Sequence, residues 1–289
     1  MSSDTQPHSI HWQRLATGIA GSEGPLVTRD GRIFLVEPPT GSILEICDTD
    51  SKSVFATTGG MPAGLQLHRD GSIWVADMKL GILRVTLEGG VEHLVGRFEG
   101  APIRGCNDCS FDSLGNLYFT APSGSSRDNP CGEIFCRLHS GEVLRMDGGF
   151  AFCNGIAISA DDTVLIVAET FTKQLHRYRL SEPGKSTERD LFATLPGDHN
   201  GGPDGIEFDA EGNLIATNWA AGHLEVFSPE GLLIRRISLP FDKPSNLHFA
   251  GPGSADILVT EHTTNSLWQG TWHCPGQRQF GWLQDHTKP

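Results

Sequence analysis

A β-rich phrase recurs six times along the chain, and in five copies it is headed by a residue whose side chain carries an oxygen. The six leading residues are Glu23, Ala63, Asn107, Asn154, Asp204 and Asn246. Carboxylate and amide oxygens are the ligands that hard divalent cations such as Ca²⁺, Mg²⁺ and Mn²⁺ prefer. Carboxylates crowded together without a cation would repel each other. If the fold brings these positions to one point, they predict a metal site.

Two of the leading residues have a competing interpretation as turn formers. Asn154 and Asp204 each precede a glycine, and such dipeptides are common in turns because Asn and Asp tolerate a left-handed backbone. Glu23 also precedes a glycine, but Glu is not favoured in turns, so it is the strongest single indication of a site. The recurrence of one polar slot in separate copies favours ligands over turns.

The phrase itself predicts the elements that would position these residues. Each copy is a short loop, an apolar run, a polar turn and a second apolar run, as in EGPLVTRDGRIFLVE and PDGIEFDAEGNLIATN. The copies are 40 to 50 residues apart, and segments such as HLEVFSPEGLLIRRIS supply a second hairpin. This period predicts an all-β six-bladed β-propeller with four-stranded antiparallel blades around a central channel. The alternative is a β-sandwich or barrel of unrelated strands.

We expect a single propeller domain over residues 1–289, in which an N-terminal strand completes the last blade. Closing the ring with both chain ends removes an open sheet edge. The innermost strand of each blade runs along the axis, so the leading residues would meet at one mouth of the channel. Polar residues near the end of each second strand are expected at the opposite mouth, in a structural role; they are Glu37, Asp77, Glu169, Asn218 and Glu261.

Composition excludes several classes of function. The chain of 289 residues has 22 basic and 35 acidic side chains, and its net charge of −13 argues against a nucleic-acid surface. No apolar run is long enough to span a membrane. The N-terminal residues lack the apolar stretch of a secretory signal, so we expect a cytoplasmic protein whose seven cysteines are reduced. Cys106 and Cys109 form a CxxC, but Cys131 and Cys136 do not supply the second pair of a zinc site.

The ordered set of motifs resembles the gluconolactonase/regucalcin (senescence marker protein) family of six-bladed propellers. The resemblance covers essentially the whole chain and rests on Glu23-Gly24-Pro25, Asn107-Asp108, Asn154-Gly155 and Pro203-Asp204-Gly205, in that order. It implies that Glu23, Asn154 and Asp204 bind one divalent cation, with Asn107 beside it as ligand or substrate contact. The cation would be Ca²⁺, with Zn²⁺, Mn²⁺ or Mg²⁺ as alternatives.

The same resemblance implies that the substrate is a small molecule and the reaction hydrolytic. A sugar lactone or another small lactone would be opened with the cation as Lewis acid. Asp204 is the candidate base, and activation of a water by the cation is the alternative. Asn107, Asp108 and Arg104 are candidate substrate contacts; many family members carry the arginine one position later, where this chain has Gly105. The loop 122–131 is expected to overhang the mouth.

Two other functions remain open. An organophosphatase-like phosphotriester or ester hydrolase would use the same metal site, and a non-catalytic propeller would hold a structural metal. His199 is a candidate second base or an ordinary surface-loop histidine. Trp74 and Trp219 are expected to pack in the core. Nothing in the sequence indicates an oligomeric state.

Overall fold

Short runs of β-branched and aromatic residues, each followed by a polar turn, fold into six antiparallel sheets. The computed structural model describes residues 10–251 and 253–283. Within these residues the chain is a six-bladed β-propeller with four-stranded blades, which confirms the predicted fold class. None of the described residues belongs to a helix with the length and apolar character that crossing a membrane requires.

The first half of the chain supplies three blades and, before them, one strand that joins the last blade. This strand is β1 (Gln13–Ala16). Blade one contains β2 (Glu23–Val27), β3 (Ile33–Glu37), β4 (Ser42–Asp48) and β5 (Ser51–Thr57), with a 3₁₀ turn at Pro38–Thr40. Blade two contains β6 (Pro62–Leu67), β7 (Ile73–Asp77), β8 (Gly81–Val85) and β9 (Val91–Val95). A hairpin of β10 (Arg97–Phe98) and β11 (Ala101–Pro102) leads to blade three, with β12 (Cys109–Phe111), β13 (Leu117–Ala121), β14 (Gly132–Arg137) and β15 (Val143–Phe150).

The second half supplies the other three blades. Blade four contains β16 (Cys153–Ile158), β17 (Val164–Glu169), β18 (Gln174–Glu182) and, after the short β19 (Lys185–Ser186) that pairs with the end of β18, β20 (Asp190–Thr194). Blade five contains β21 (Pro203–Phe208), β22 (Leu214–Asn218), β23 (His223–Phe227) and β24 (Leu233–Ser238). Blade six contains β25 (Pro244–Phe249), β26 (Asp256–Glu261) and β27 (Ser266–Thr271).

The two ends of the chain close the ring in blade six. Strand β1 is the outer strand of that blade and pairs antiparallel with β27, with Gln13 opposite Gln269 and Arg14 opposite Trp268. The six innermost strands contact one another in a closed cycle, β2 to β6, β12, β16, β21, β25 and back to β2. The ring therefore has a single axis, and equivalent residues of the inner strands face it at equal heights.

Apolar side chains fill the spaces between neighbouring blades. Phe34 of blade one packs with Leu83 of blade two, and Ile166 of blade four packs with Leu214 of blade five. Trp74 is buried in the cluster between blades two and three, where we expected a core residue. Burial of such large side chains stabilises the ring, since each contributes about 1.5–3 kcal/mol.

Residues 275–283, which we call the C-terminal segment, cross the end of the channel opposite the leading residues. The segment contacts the inner hairpin of all six blades. Gln277 donates from Nε2 to Ile158 O over 2.6 Å and from its backbone N–H to Phe208 O over 3.1 Å, while Arg29 Nε donates to Gly281 O over 2.6 Å. The other contacts join Gly281 to Leu67, Phe280 to Gly115 and Trp282 to Gly251. One end of the channel is therefore closed by the chain itself.

Candidate metal centre and active site

The inner strands approach one another so closely that the leading residues of adjacent blades become neighbours. A Cβ built on Gly155 would lie 2.3 Å from Asp204 O, and one built on Gly24 would lie 2.5 Å from Ala63 O. Only glycine fits there. Asn154-Gly155 and Asp204-Gly205 lie inside β16 and β21, where the register shifts by a bulge. The turn interpretation of these dipeptides is therefore wrong: the glycines permit close packing at the axis.

The same contacts show which residue of each inner strand lies at one common height in the channel. We call these residues the upper layer, and in blade six the residue differs from the expected one. A Cβ built on Gly64 would lie 2.9 Å from Asn107 O, which makes Asn107 the counterpart of Ala63 and Asp204. In blade six, Pro244 pairs with Glu261 as Pro203 pairs with Asn218, so the counterpart of Asp204 is Ser245. The expectation that Asn246 is the leading residue of blade six is therefore wrong by one position along the chain. The upper layer comprises Glu23, Ala63, Asn107, Asn154, Asp204 and Ser245.

Below the upper layer, two further layers of side chains face the channel. The residues that follow Asn107 and Ser245 are Asp108 and Asn246, and both line a channel cavity of about 170 Å³. Lower still, Glu207 Oε2 lies 3.4 Å from His248 Nδ1. Gln279 of the C-terminal segment donates to Glu207 Oε1 over 2.5 Å, and His248 Nε2 is buried without a hydrogen-bond partner. Polar side chains therefore face the channel at several heights, among apolar residues such as Ile156 and Leu247.

Burial and mutual repulsion dominate the electrostatics of the upper layer. Burial, then the charges of Glu23 and Asp108, raise the pKa of Asp204 well above its ordinary value. Burial likewise raises the pKa of Asp108 to about 8, and Glu23 and Glu207 add to the effect. Three carboxylates in one buried space cannot all be ionised without a compensating cation. This donor set fits a divalent cation, because such an ion would supply the missing charge.

The amide of Asn154 is oriented by its neighbours. Its Nδ2 donates to Thr170 Oγ1 over 3.1 Å, and its amide also hydrogen-bonds to Asp204, which acts to lower the pKa of that carboxyl. Because the nitrogen is used in this way, the amide oxygen is left as the group available to a cation. The donors that fit a cation in the upper layer are therefore the oxygens of Glu23, Asn107, Asn154 and Asp204.

Three buried hydroxyl groups donate hydrogen bonds to backbone carbonyls in or beside the upper layer. We call them the hydroxyl belt; they belong to Thr120, Thr217 and Ser245. Thr120 Oγ1 donates to Asn154 O over 2.7 Å, and Thr217 Oγ1 donates to Ser245 O over 3.2 Å. Ser245 Oγ in turn donates to Ser22 O of blade one over 2.8 Å. Each hydroxyl joins one blade to the next, so the heights of the upper-layer residues are set by hydrogen bonds around the ring.

The rim of the open mouth contains two residues whose role the sequence analysis missed. Trp219 and His262 occupy the same position in blades five and six, one residue after β22 and β26. Trp219 Nε1 donates to His262 Nδ1 over 3.2 Å, which leaves His262 Nε2, 3.4 Å from Glu23 Oε1, to carry the ring proton. Burial acts to lower the pKa of His262, but interaction with Glu23 outweighs it and the pKa is raised. Trp219 is only half-buried, so the expectation that it packs in the core is wrong.

Aromatic residues continue the rim in blade four. The rings of Phe152 and Phe171 are 5.1 Å apart between centroids. Phe152 has a φ of 73°, a left-handed conformation that costs a non-glycine residue about 1–2 kcal/mol. Its N–H donates to Ser125 Oγ over 3.0 Å, so the loop 122–131 supports this conformation. The strained backbone positions a phenyl ring two residues before Asn154.

The polar residues that end the second strands lie at the open mouth, so their expected place at the opposite mouth is wrong. The second strand of an antiparallel hairpin returns to the height at which the first began: Pro62 pairs with Asp77 and Cys153 with Glu169. Their role is structural, since they accept hydrogen bonds from the loops that open the inner strands. Asp77 accepts from Met61 N over 2.9 Å, and Glu37 accepts from Ala20 N over 3.0 Å.

Three other expectations concern residues away from the upper layer. Arg104 is exposed and lines a surface cavity with Ser123 and Glu133, a cavity that contains none of the channel carboxylates. His199 Nε2 lies 2.9 Å from Asn218 Oδ1, a contact that anchors its loop. Cys106 and Cys109 are buried in the core, where burial raises the pKa of both thiols. All seven cysteines lie in the described residues as free thiols.

Comparisons with known proteins place the chain in a family. A profile of the SMP-30/gluconolactonase/LRE-like region matches residues 21–263. Diisopropyl-fluorophosphatase of Loligo vulgaris is 39% identical over 295 residues, covering 92% of this chain and 94% of its own. Lactonase drp35 of Staphylococcus haemolyticus is 30% identical over 240 residues, covering 79% of this chain and 73% of its own.

Solved structures show the same fold at lower identity. A putative gluconolactonase superposes with a TM-score of 0.81 at 22% identity, covering 94% of this chain and 96% of its own. Regucalcin from Agrobacterium tumefaciens, described as a calcium-binding protein, superposes with a TM-score of 0.80 at 20% identity, covering 96% and 98%. From the family profile and the two sequence relatives it follows that this chain belongs to the SMP-30/gluconolactonase/LRE-like family.

Proposed function

We propose that this protein is a hydrolase that opens small lactones, using one divalent cation held by Glu23, Asn107, Asn154 and Asp204. The observation that carries the proposal is the crowding of Glu23 and Asp204 in the upper layer with Asp108 directly below them, where burial and mutual repulsion raise the pKa of Asp204 and of Asp108 and favour a positive charge. Glu23 and Asp204 together supply two negative charges, which match one dication. The donors are all oxygens, and this favours Ca²⁺ over softer metals. The calcium-binding description of regucalcin supports the same choice.

The residues of the upper layer have distinct roles in this mechanism. When bound, the cation supplies Lewis-acid polarisation of the substrate's carbonyl oxygen. Asp204 is the candidate base: its buried carboxylate would orient a water and take its proton. Asn107 and Asn154 add dipoles without adding charge. His262, held by Trp219, fixes the carboxylate of Glu23 and so acts as a positioning residue.

The lactone as substrate is supported by the lactonase of Staphylococcus haemolyticus, which is 30% identical to this chain. Asp108, directly below the upper layer, is the proposed contact for a substrate hydroxyl group. Arg104, the other candidate contact, lies in a separate surface cavity and is left out of this proposal.

A second candidate function is the hydrolysis of phosphorus esters at the same cation. Two observations favour it: the 39% identity to diisopropyl-fluorophosphatase over nearly the whole of both chains, and the aromatic rim of Phe152, Phe171 and Trp219. An apolar rim would accept alkyl substituents better than the hydroxyl groups of a sugar acid. The phosphoryl oxygen would take the place of the lactone carbonyl.

The test is a substrate panel measured with and without cation. Purified protein is assayed on a sugar lactone, an aliphatic lactone, an aromatic lactone and diisopropyl fluorophosphate, then again after chelation and after adding back Ca²⁺, Mn²⁺ or Zn²⁺. We expect turnover of a lactone, loss of that turnover on chelation, and recovery with Ca²⁺. Full activity in the chelated protein would exclude the Lewis-acid role. Tight cation binding with no turnover of any ester would instead identify a non-catalytic propeller.

A further inference from the structure

We propose a second metal site, for a borderline transition-metal dication such as Zn²⁺, at the edge of the closed end of the propeller. Its ligands are Glu211, on the inner hairpin of blade five, and His273 and Cys274, which follow β27. Asp209 lies beside them. One donor atom from each of these four residues lies within 4.8 Å of the others. Sulfur and nitrogen donors distinguish this cluster from the all-oxygen upper layer.

The spacing of the donor atoms already approaches that of a tetrahedral site. His273 Nε2 lies 3.4 Å from Glu211 Oε2 and 3.6 Å from Cys274 Sγ. Bonds of about 2.0–2.3 Å around zinc place neighbouring ligands roughly 3.3–3.8 Å apart. The donor atoms of Glu211 and His273, and those of His273 and Cys274, are therefore already at the separation that a tetrahedral zinc site requires. Asp209 Oδ2 already accepts hydrogen bonds from Asn213 and Trp272, so we assign the fourth position to water and to Asp209 a charge-balancing role.

Backbone hydrogen bonds hold the two ligand-bearing segments together before any metal binds. Ala210 N donates to Pro275 O over 2.9 Å, and Asp209 forms an isolated antiparallel bridge with Gly276. These bonds flank Glu211 on one side and Cys274 on the other. Glu211 and His273 are 62 positions apart in the chain, but the bridge between Asp209 and Gly276 brings their segments together. A bound metal would therefore fasten the start of the C-terminal segment to blade five.

Arg235 competes with the metal for His273. Its Nη2 lies 2.8 Å from His273 Nδ1, and its guanidinium group stacks 4.7 Å from the centroid of the Trp272 ring. A histidine bound through Nε2 carries its proton on Nδ1, so Arg235 must release that nitrogen while keeping its stacking contact. Removing this positive charge should therefore strengthen metal binding, which an ordinary surface ligand cluster without a competitor would not show.

Metal binding at this site would also release a proton. A thiolate is the form that binds metal. Titration calorimetry in two buffers of different ionisation enthalpy measures the number of protons released, and we expect close to one for the wild-type protein.

The deciding experiment uses Co²⁺ as a spectroscopic probe on full-length protein whose upper layer has first been saturated with Ca²⁺. Coordination by Cys274 should produce a thiolate-to-cobalt charge-transfer band at one equivalent, and Zn²⁺ should remove it. We expect Cys274→Ser to abolish the band and His273→Asn to weaken Co²⁺ binding on the order of 100-fold. Cys47→Ser is the matched control, because Cys47 is also a free thiol, is exposed, and lies outside the cluster.

Two results would overturn the proposal: absence of the band in the wild-type protein, and a band that survives in Cys274→Ser. Arg235→Gln provides an independent check, since it leaves all ligands in place. It should raise Co²⁺ affinity about fivefold, the effect expected from removing one nearby charge at a partly exposed site. Unchanged or weaker binding in Arg235→Gln, with folding verified by circular dichroism, would contradict the assigned geometry.

Discussion

The two mouths of the channel are built from the same repeat but differ in what occupies them. At the open mouth, the upper-layer residue varies from blade to blade, and burial with the neighbouring carboxylates raises the pKa of Asp204. At the other end, the C-terminal segment contacts the inner hairpins of all six blades. The inner strands run from one mouth to the other, and β16, β21 and β25 are buried along their whole length.

The difference shows how a symmetrical ring can carry an asymmetrical site. Stability resides in features that recur, such as the close glycine contacts, the hydroxyl belt and the interblade clusters. Chemistry resides in the positions where one blade departs from the others, since only those departures can bring unlike ligands to one cation. The open mouth should therefore respond to mutation in activity, and the closed end in stability.

The largest expected effect is on activity at the open mouth. Asp204→Asn removes the candidate base and one ligand charge, so turnover should fall by about 10²–10⁴-fold, measured as kcat/KM on the best substrate of the panel. In chelated protein the same change should raise the Tm, because it removes one of three crowded carboxylates. Asp48→Asn, at an exposed position, is the control. A turnover rate equal to that of wild type would remove Asp204 from the mechanism.

The next largest effect is on stability at the closed end. Phe280 is buried against Phe111, with ring centroids 5.0 Å apart, and against the turn at Gly115. Phe280→Ala should lower the free energy of unfolding by about 3–5 kcal/mol, measured by urea denaturation, with kcat unchanged in the folded protein. The control is Leu114→Ala, which removes an exposed apolar side chain nearby. A large loss of kcat with little loss of stability would show that the two ends are not separable.

A smaller effect is the pH dependence of stability that Asp108, directly below the upper layer, should cause. The pKa of Asp108 is about 8 in the folded protein, against an ordinary value of 3.8, so the folded state binds more protons between these pH values. The stability of chelated protein should therefore fall as the pH rises through this window. Saturating Ca²⁺ should remove most of the dependence. Thermal melts at a series of pH values test this, and a chelated protein that gains stability with rising pH would contradict it.

The smallest effect tests the hydroxyl belt. Thr217 is fully buried, and its Oγ1 donates to Gly205 O and Ser245 O over 3.1 and 3.2 Å. Thr217→Val keeps the shape but leaves these carbonyls unpaired, which should cost about 1–3 kcal/mol and weaken cation binding. Thr57→Val, at an exposed position in β5, should change neither quantity. Loss of stability with unaltered cation affinity would show that the belt supports the ring but not the ligands.

The sequence allowed the ring and most of the upper layer to be predicted, because both repeat. Glu23, Asn107, Asn154 and Asp204 were found by register alone, and the structure places all four in one layer. Their metal-binding role stays a prediction. The blade-six position was missed by one residue because Pro244-Ser245-Asn246 contains no glycine to mark it, and an asparagine there matched the other blades by type.

The rest could not be found by comparing repeats. Trp219 and His262 each follow the last residue of the recurring phrase, so a comparison extended by one position would have shown an indole and an imidazole side by side. The C-terminal segment has no counterpart in the other blades, and its contacts depend on the curvature of the finished ring. The polar residues that end the second strands were assigned to the wrong mouth, because the second strand of an antiparallel hairpin returns to the height at which the first began.

The pairing of β1 with β27 has a consequence for the order in which the protein is made. Blade six combines the first described strand with the last one, since Gln13 of β1 lies opposite Gln269 of β27. The other blades can form hairpin by hairpin during synthesis, but the ring cannot close until nearly the whole chain has emerged. Glu23 of blade one and Asp204 of blade five reach their final separation only on closure. Until the ring closes, the residues proposed to hold the cation are therefore not all held at their final positions.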